Sequence, residues 1–244
     1  MHSPHPLVAT FERAIVLSET ERLAIDLLPF QLETVLAGEG PCWAGDRPTR
    51  CFLVRSGLLA TSKATRDGEI QFMALHIPGD MPDLQSLCLE VLDSDIGALT
   101  HCELVFVAHK DLQHLVETQP RLAAVLWRGT LVEGSIYRES VVNVSQRQAL
   151  NRLAHLFCEL LTRMEVVGLV QDENCQLGLT QKDLSEATGL SVVDINRTLQ
   201  DLRARQLIVF EKGRLTILDR EALALLGEFT SDYLLLRDAP GSLG

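Results

Sequence analysis

Residues 180–214 read TQKDLSEATGLSVVDINRTLQDLRARQLIVFEKGR. Thr180 is followed three positions on by Asp183, and Ser191 by Asp194, so each hydroxyl can cap a helix N-terminus while the carboxylate answers it. Gly189 lies between the two pairs, where a chain leaving a helix takes φ > 0 without a Cβ penalty. The spacing predicts two short helices joined by a tight turn. In the second helix Ile195, Leu199 and Leu202 form one apolar stripe, which turns Val192, Val193, Asn196, Arg197, Gln200 and Arg203 elsewhere. Beyond it LIVFEKGRLTI alternates about Lys212-Gly213, as a β-hairpin does. Helix, turn, helix and basic hairpin together outline a winged helix-turn-helix.

Such a helix meets base edges in a major groove with its outward face, where arginine suits guanine and asparagine suits adenine. The candidate base contacts are Val192, Val193, Asn196, Arg197 and Gln200, with Asn196 and Arg197 foremost. Lys212 and Arg214, at the hairpin tip, would attract phosphate without reading sequence. The plainer alternative for Arg197 is a solvated surface arginine.

The whole chain of 244 residues carries a net charge of −11, which argues against a basic nucleic-acid footprint. Locally the balance reverses. Residues 191–214 hold five cations, Arg197, Arg203, Arg205, Lys212 and Arg214, against the three anions Asp194, Asp201 and Glu211. No apolar run approaches the roughly 20 residues of a membrane helix, and the N-terminus lacks a signal-peptide pattern, so the expectation is a soluble, cytoplasmic protein without a membrane partner. Cysteines fall at 42, 51, 88, 102, 158 and 175 with no Cys-x-x-Cys pair, which predicts free, mostly buried thiols and neither a zinc ribbon nor an iron–sulfur cluster.

Before residue 120 the pattern changes. Glycines at 38, 40, 45, 57, 68 and 79 punctuate strand-like segments such as CFLVRSG and EIQFMALHIPG, predicting an antiparallel β-roll. A helix capped by Ser18 with Glu21 precedes it, and ELVFVA with a short helix over Lys110–Glu117 closes it. Over Pro120–Val142, Leu122, Val125, Gly129, Val132 and Ile136 recur at 3, 4, 3, 4, a seam that a buried core helix could also show but whose place between a β domain and a DNA-binding domain favours a dimer interface. An amphipathic helix over Ser145–Met164 would open the C-terminal domain, with Asn143-Val144 as hinge, and one more short helix is expected between Asp219 and Leu236. The expected fold is α+β: an N-terminal β-roll effector domain over 1–118, a dimerisation helix and hinge over 119–143, and a winged helix-turn-helix over 144–244.

This order resembles the Crp/Fnr family of bacterial transcription regulators over nearly the whole chain. LTQKDLSEATGLSVVDINRTLQDLR and LTILDREAL carry the resemblance most specifically, and HIPGDMPDLQSL looks like the family's pocket-lining turn. The resemblance implies a cyclic-nucleotide-binding-like β-roll, a homodimer, and one reading helix in each of two adjacent major grooves of a palindromic operator in double-stranded DNA. It makes RNA polymerase a further partner. It also makes Thr180, Lys182, Ser191 and Arg203 phosphate contacts beside the two wing cations, and His76, Gly79, Asp80 and Asp83 effector-pocket candidates.

Three departures qualify it. The family holds a cyclic phosphate with an arginine after the Pro-Gly pair, yet no arginine occurs between Asp67 and Pro120, so cAMP and cGMP are not expected to bind well. No cysteine precedes Cys42 to hold an iron–sulfur cluster, and no histidine stands out as a haem ligand. Better-known members begin the reading helix with Arg-Glu, where this chain has Val192-Val193. Neither cofactor nor metal is expected. The effector, a small molecule or a protein, is unspecified. The competing class is a metal-dependent β-roll enzyme with a helical appendage, and against it the sequence offers no His-x-His pair, no nucleophile triad and no phosphate loop.

Overall fold

The structure is a computed structural model that describes residues 4–236, so the outermost parts of the expected 1–118 and 144–244 segments lie outside the described residues. The helices are α1 (Pro6–Glu12), α2 (Glu19–Asp26), α3 (His109–Thr118), α4 (Pro120–Gln146), α5 (Ala149–Val166), α6 (Gln181–Thr188), α7 (Val192–Ala204) and α8 (Arg220–Gly227). The strands are β1 (Gln31–Val35), β2 (Arg50–Ser56), β3 (Leu59–Ala64), β4 (Ile70–His76), β5 (Asp95–Ala98), β6 (Cys102–Ala108), β7 (Asn174–Gln176), β8 (Ile208–Glu211) and β9 (Arg214–Ile217). They form two compact units, one of residues up to Leu59 with His76–Gly134, the other of Ala60–Leu75 with Ser135–Leu235.

In the first unit β1, β6 and β2 form an antiparallel sheet, with Leu53 opposite Val105 and Phe52 opposite Phe106. The run Cys51–Val54 is apolar without alternation because both faces of this sheet are covered. Cys51, Leu53, Val105 and Val107 pack with Phe11 and Leu112 from the helices, while Phe52, Val54, Leu104 and Phe106 face a second cluster with Ile96 and Cys102. Two capped helices precede the sheet. Ser18 accepts from the Glu21 amide and Glu21 answers the Ser18 amide, as the sequence predicts, whereas α1, started by His5 and Pro6, carried no signal strong enough to be expected.

In the second unit β3 and β4 are neighbours in a hairpin, and β7, β9 and β8 form the wing sheet. α5 is buried on every side from Leu153 to Met164, which the sequence, with its single apolar face, did not announce. Its polar residues are therefore paired: Glu159 takes Arg163 at 3.1 Å and the Tyr233 hydroxyl at 2.7 Å, and His155 meets the Gly227 carbonyl at 3.0 Å. Burial first, and then Arg147, hold the His155 pKa below its ordinary value, against the pull of Glu159, Gly227 and Glu139.

Two expectations for the long helix need correction. α4 does not end at Val142 but continues through Gln146, so the proposed hinge at Asn143-Val144, and with it the 143/144 division, falls inside a helix. Asn143 is buried, and its Nδ2 donates to the Arg152 carbonyl at 3.2 Å, leaving nothing at that point to break the helix; the break comes at Arg147-Gln148. The seam is also largely consumed within one chain. Leu122 and Val125 belong to the first unit's core, and Ile136 is buried in the second, while Val132 is half-buried and Gly129 exposed. A 3, 4 spacing marks a buried stripe without saying what buries it. The apolar side chains α4 leaves exposed are Trp127 at 69%, Leu131 at 54% and Val141 at 55%, with Val142 beside the last.

Candidate nucleic-acid interface

The helix-turn-helix forms as its caps require. Thr180 accepts from the Asp183 amide at 3.2 Å and Asp183 accepts from the Thr180 amide at 2.7 Å, closing both bonds of a capping box. Ser191 accepts from the Asp194 amide at 3.1 Å, and its hydroxyl donates to the same carboxylate. Gly189 ends α6 in the left-handed region, with φ of 65°.

α7 divides into two faces. Ile195, Thr198, Leu199 and Leu202 are buried, and Val192, Val193, Asn196, Arg197, Gln200 and Arg203 are exposed, Val193 at 69%. Gln200 donates to the Asn196 Oδ1 at 2.9 Å, and the Asn196 Nδ2 donates to Gln181 at 3.4 Å, so this amide is oriented before any ligand arrives. The Arg197 guanidinium makes no hydrogen bond or ion pair among the described residues.

The wing turns at Lys212-Gly213 with φ of 50° and 73°, the paired positive angles of a tight hairpin. Gly213 is needed for a second reason: a Cβ there would lie 2.7 Å from the Gly178 Cα. Its carbonyl accepts from Leu177 and Gly178, which braces the tip against β7, a three-residue strand the sequence concealed. Phe210 packs on Phe157 of α5 with ring centroids 5.5 Å apart. Of the phosphate candidates, Lys182 is exposed with an ion pair to Glu186 at 3.4 Å, Arg203 donates to the Phe210 carbonyl at 3.3 Å, and Arg214 donates to Asn174 at 3.1 Å, whereas Lys212 keeps its side chain in solvent.

The effector-pocket candidates in the first unit behave differently. Asp80 Oδ2 accepts from the Ile77 amide at 2.9 Å and Gly79 donates to the Val54 carbonyl, so both build the turn itself. Arg13, which follows α1 at its C-terminus and which the sequence did not single out, reaches the Gly79 carbonyl at 3.4 Å, and its guanidinium occupies the space a Cβ on Gly79 would take. His76 is buried with Nε2 4.0 Å from Glu133. Asp83 is fully buried. Its Oδ1 accepts from the Phe52 amide at 3.0 Å and its Oδ2 has no partner among the described residues, so burial pushes the carboxyl from 3.8 up to about 8.

All six cysteines are free, and all but Cys88 are buried. Burial pushes Cys42 and Cys158 up to about 12 and Cys175 to about 11, which keeps them as thiols.

A covered β-sheet unit joined to a winged helix-turn-helix defines a regulator that reads DNA. Residues 151–226 match the Crp-like helix-turn-helix domain, and residues 32–119 match the cyclic nucleotide-binding domain. The chain belongs to the Crp/Fnr family of transcription regulators. It is 25% identical over 207 residues to the fumarate and nitrate reduction regulatory protein of Vibrio cholerae, covering 85% of this chain and 82% of that one. It is 24% identical over 216 residues to the nitrogen fixation regulation protein FixK of Azorhizobium caulinodans, covering 88% and 86%. The structure of FixK2 from Bradyrhizobium japonicum superposes with a TM-score of 0.74 at 19% identity, covering 83% of this chain and all of that one. These relatives are regulators, and the enzyme alternative finds no support among them. No helix among the described residues is long and apolar enough to cross a membrane.

Asp83 yields a prediction with a defined sign. The folded chain holds a proton that the unfolded chain releases near 3.8, so the stability it contributes is complete below that value and is lost as pH rises through about 8. Unfolding free energies of the wild type from urea titrations should fall between pH 5 and 8 with a slope of up to about 1.4 kcal/mol per pH unit, and Asp83→Asn should flatten that slope. Equal slopes in the two proteins would refute a buried proton at Asp83.

Proposed function

We propose that the chain acts as a homodimer that sets one α7 in each of two successive major grooves of a palindromic operator. The exposed, unpartnered guanidinium of Arg197 on the face opposite the buried stripe carries this reading. Arg197 would take guanine, and the oriented amides of Asn196 and Gln200 would read beside it. Val192 and Val193 can meet thymine methyls but offer no bidentate hydrogen bond, so the operator differs where an Arg-Glu pair would read. Thr180, Lys182, Ser191, Arg203, Lys212 and Arg214 supply phosphate contacts, for which Lys212 needs no rearrangement and Arg203 and Arg214 must exchange an existing bond.

Residues up to 118 would form the effector domain, α4 the dimerisation helix, and the segment from α5 onward the reader. α4 would pair through Trp127, Leu131 and Val141, whose 4 then 10 residue spacing keeps them on one seam. The dimer works in the cytoplasm and its output passes through RNA polymerase at nearby promoters. The effector does not follow from the site. A cyclic nucleotide suits it poorly: the turn at Pro78-Gly79 presents the neutral, buried Asp83 and an Arg13 already engaged with Gly79 and Asp80, which leaves a phosphodiester without a free cation.

In gel shifts on a duplex selected by the wild type, Arg197→Ala should weaken binding by about 1–3 kcal/mol and abolish any effect on transcription from that template. A variant that binds like the wild type removes α7 from the reading role. Sedimentation of Trp127→Glu with Leu131→Glu should show monomers where the wild type sediments as a dimer, and a persisting dimer would transfer the interface to another surface. Calorimetric titration with cAMP should give no saturable heat, and saturation at micromolar concentration would overturn the argument from charge.

A further inference from the structure

An α-helix leaves its last carbonyls without partners of its own. α6 ends at the turn of the helix-turn-helix, and its terminal carbonyls are met from outside the motif. Gln71 of β4 donates from Nε2 to the Glu186 carbonyl at 2.8 Å and reaches the Ala187 carbonyl at 3.5 Å. Arg152 of α5 donates to the Thr188 carbonyl at 2.7 Å. Nε2 of Gln71 also donates to the Phe72 carbonyl at 3.0 Å, so the amide is committed as a donor. Its orientation follows from chemistry: carbonyls can only accept, and the negative end of a helix dipole favours donors.

The turn is crowded by this arrangement. A Cβ at Gly189 would come within 3.2 Å of the Gln71 Oε1, so that side chain would have to give by a few tenths of an ångström, and the φ of 65° itself favours glycine. The bonds continue beyond the turn. Arg152 also donates to the Arg147 carbonyl at 2.9 Å, and Asn143 of α4 donates to the Arg152 carbonyl at 3.2 Å. The end of α4, the start of α5 and the turn before α7 thus form one hydrogen-bonded chain, and Gln71 closes it from the β3–β4 hairpin, which belongs to the same compact unit.

We propose that Gln71 is a positioning residue for DNA reading: by holding the α6 carbonyls it fixes the turn that sets α7, and it couples the β3–β4 hairpin to the reading helix. The inference rests on α7 as the reader. Coupling of this kind is reciprocal, so DNA bound at α7 must be felt in the hairpin.

Hydrogen exchange of the full-length protein, alone and with a saturating duplex selected by the wild type, tests it. Without DNA, Gln71→Ala and Gln71→Glu should speed exchange in peptides covering 184–191 by about 3- to 10-fold, and Gln71→Lys, whose ammonium still donates, should restore slow exchange. With DNA, wild-type peptides covering 60–75 should change their exchange, and that change should vanish in Gln71→Ala and Gln71→Glu but survive in Gln71→Lys. Peptides covering 192–204 should respond to DNA in every variant. Unaltered exchange at 184–191 in Gln71→Ala, or a hairpin response that persists in it, overturns the proposal. Silence of 192–204 in the wild type would instead remove α7 as the reader, and the DNA-free comparison would still decide whether Gln71 holds the turn.

Discussion

The second unit depends on the burial of α5 from all sides. Leu153, Phe157, Leu160 and Leu161 supply the apolar surface against which the stripe of α7 and the wing can pack. The same burial takes His155, Glu159 and Arg163 out of water, which would cost several kcal/mol for each ion left unpaired. Their partners lie at the end of α8 and in the following turn at Tyr233, so the segment after the wing is part of the domain's electrostatics as well as its core. Held by these partners, α5 supports α7 and the wing, where its Phe157 meets Phe210.

On that support the exposed face of α7 can be chemically specialised without loss of fold. Val192 and Val193 are exposed, at 46% and 69%, so packing constrains their identity little. Ile195, Leu199 and Leu202 have no such freedom. This separation lets the exposed face change while the scaffold of caps, turn and stripe is kept.

α4 shows where pattern reading reaches its limit. The seam Leu122, Val125, Gly129, Val132 and Ile136 was visible, but periodicity reports that a stripe is buried and is silent about the partner. Packing within the chain takes Leu122, Val125 and Ile136, and a different set, Trp127, Leu131 and Val141, remains exposed. The extension of α4 through Asn143 was equally hidden, since an asparagine reads as a break until its amide finds the Arg152 carbonyl.

By itself the sequence determined the local architecture: capped helices at Ser18, Thr180 and Ser191, the glycine turn at 189, the hairpin at Lys212-Gly213, and the outward set Asn196, Arg197 and Gln200. Caps, turns and amphipathic stripes depend on neighbours within a few residues, so they are legible along the chain. Only the tertiary structure decided which residues far apart in sequence meet. Gln71 and the Glu186 carbonyl, Arg13 and the Gly79 carbonyl, and Asp83 and the Phe52 amide lie 115, 66 and 31 positions apart. Burial and hydrogen bonding at such separations are properties of the folded arrangement, and no local spacing records them.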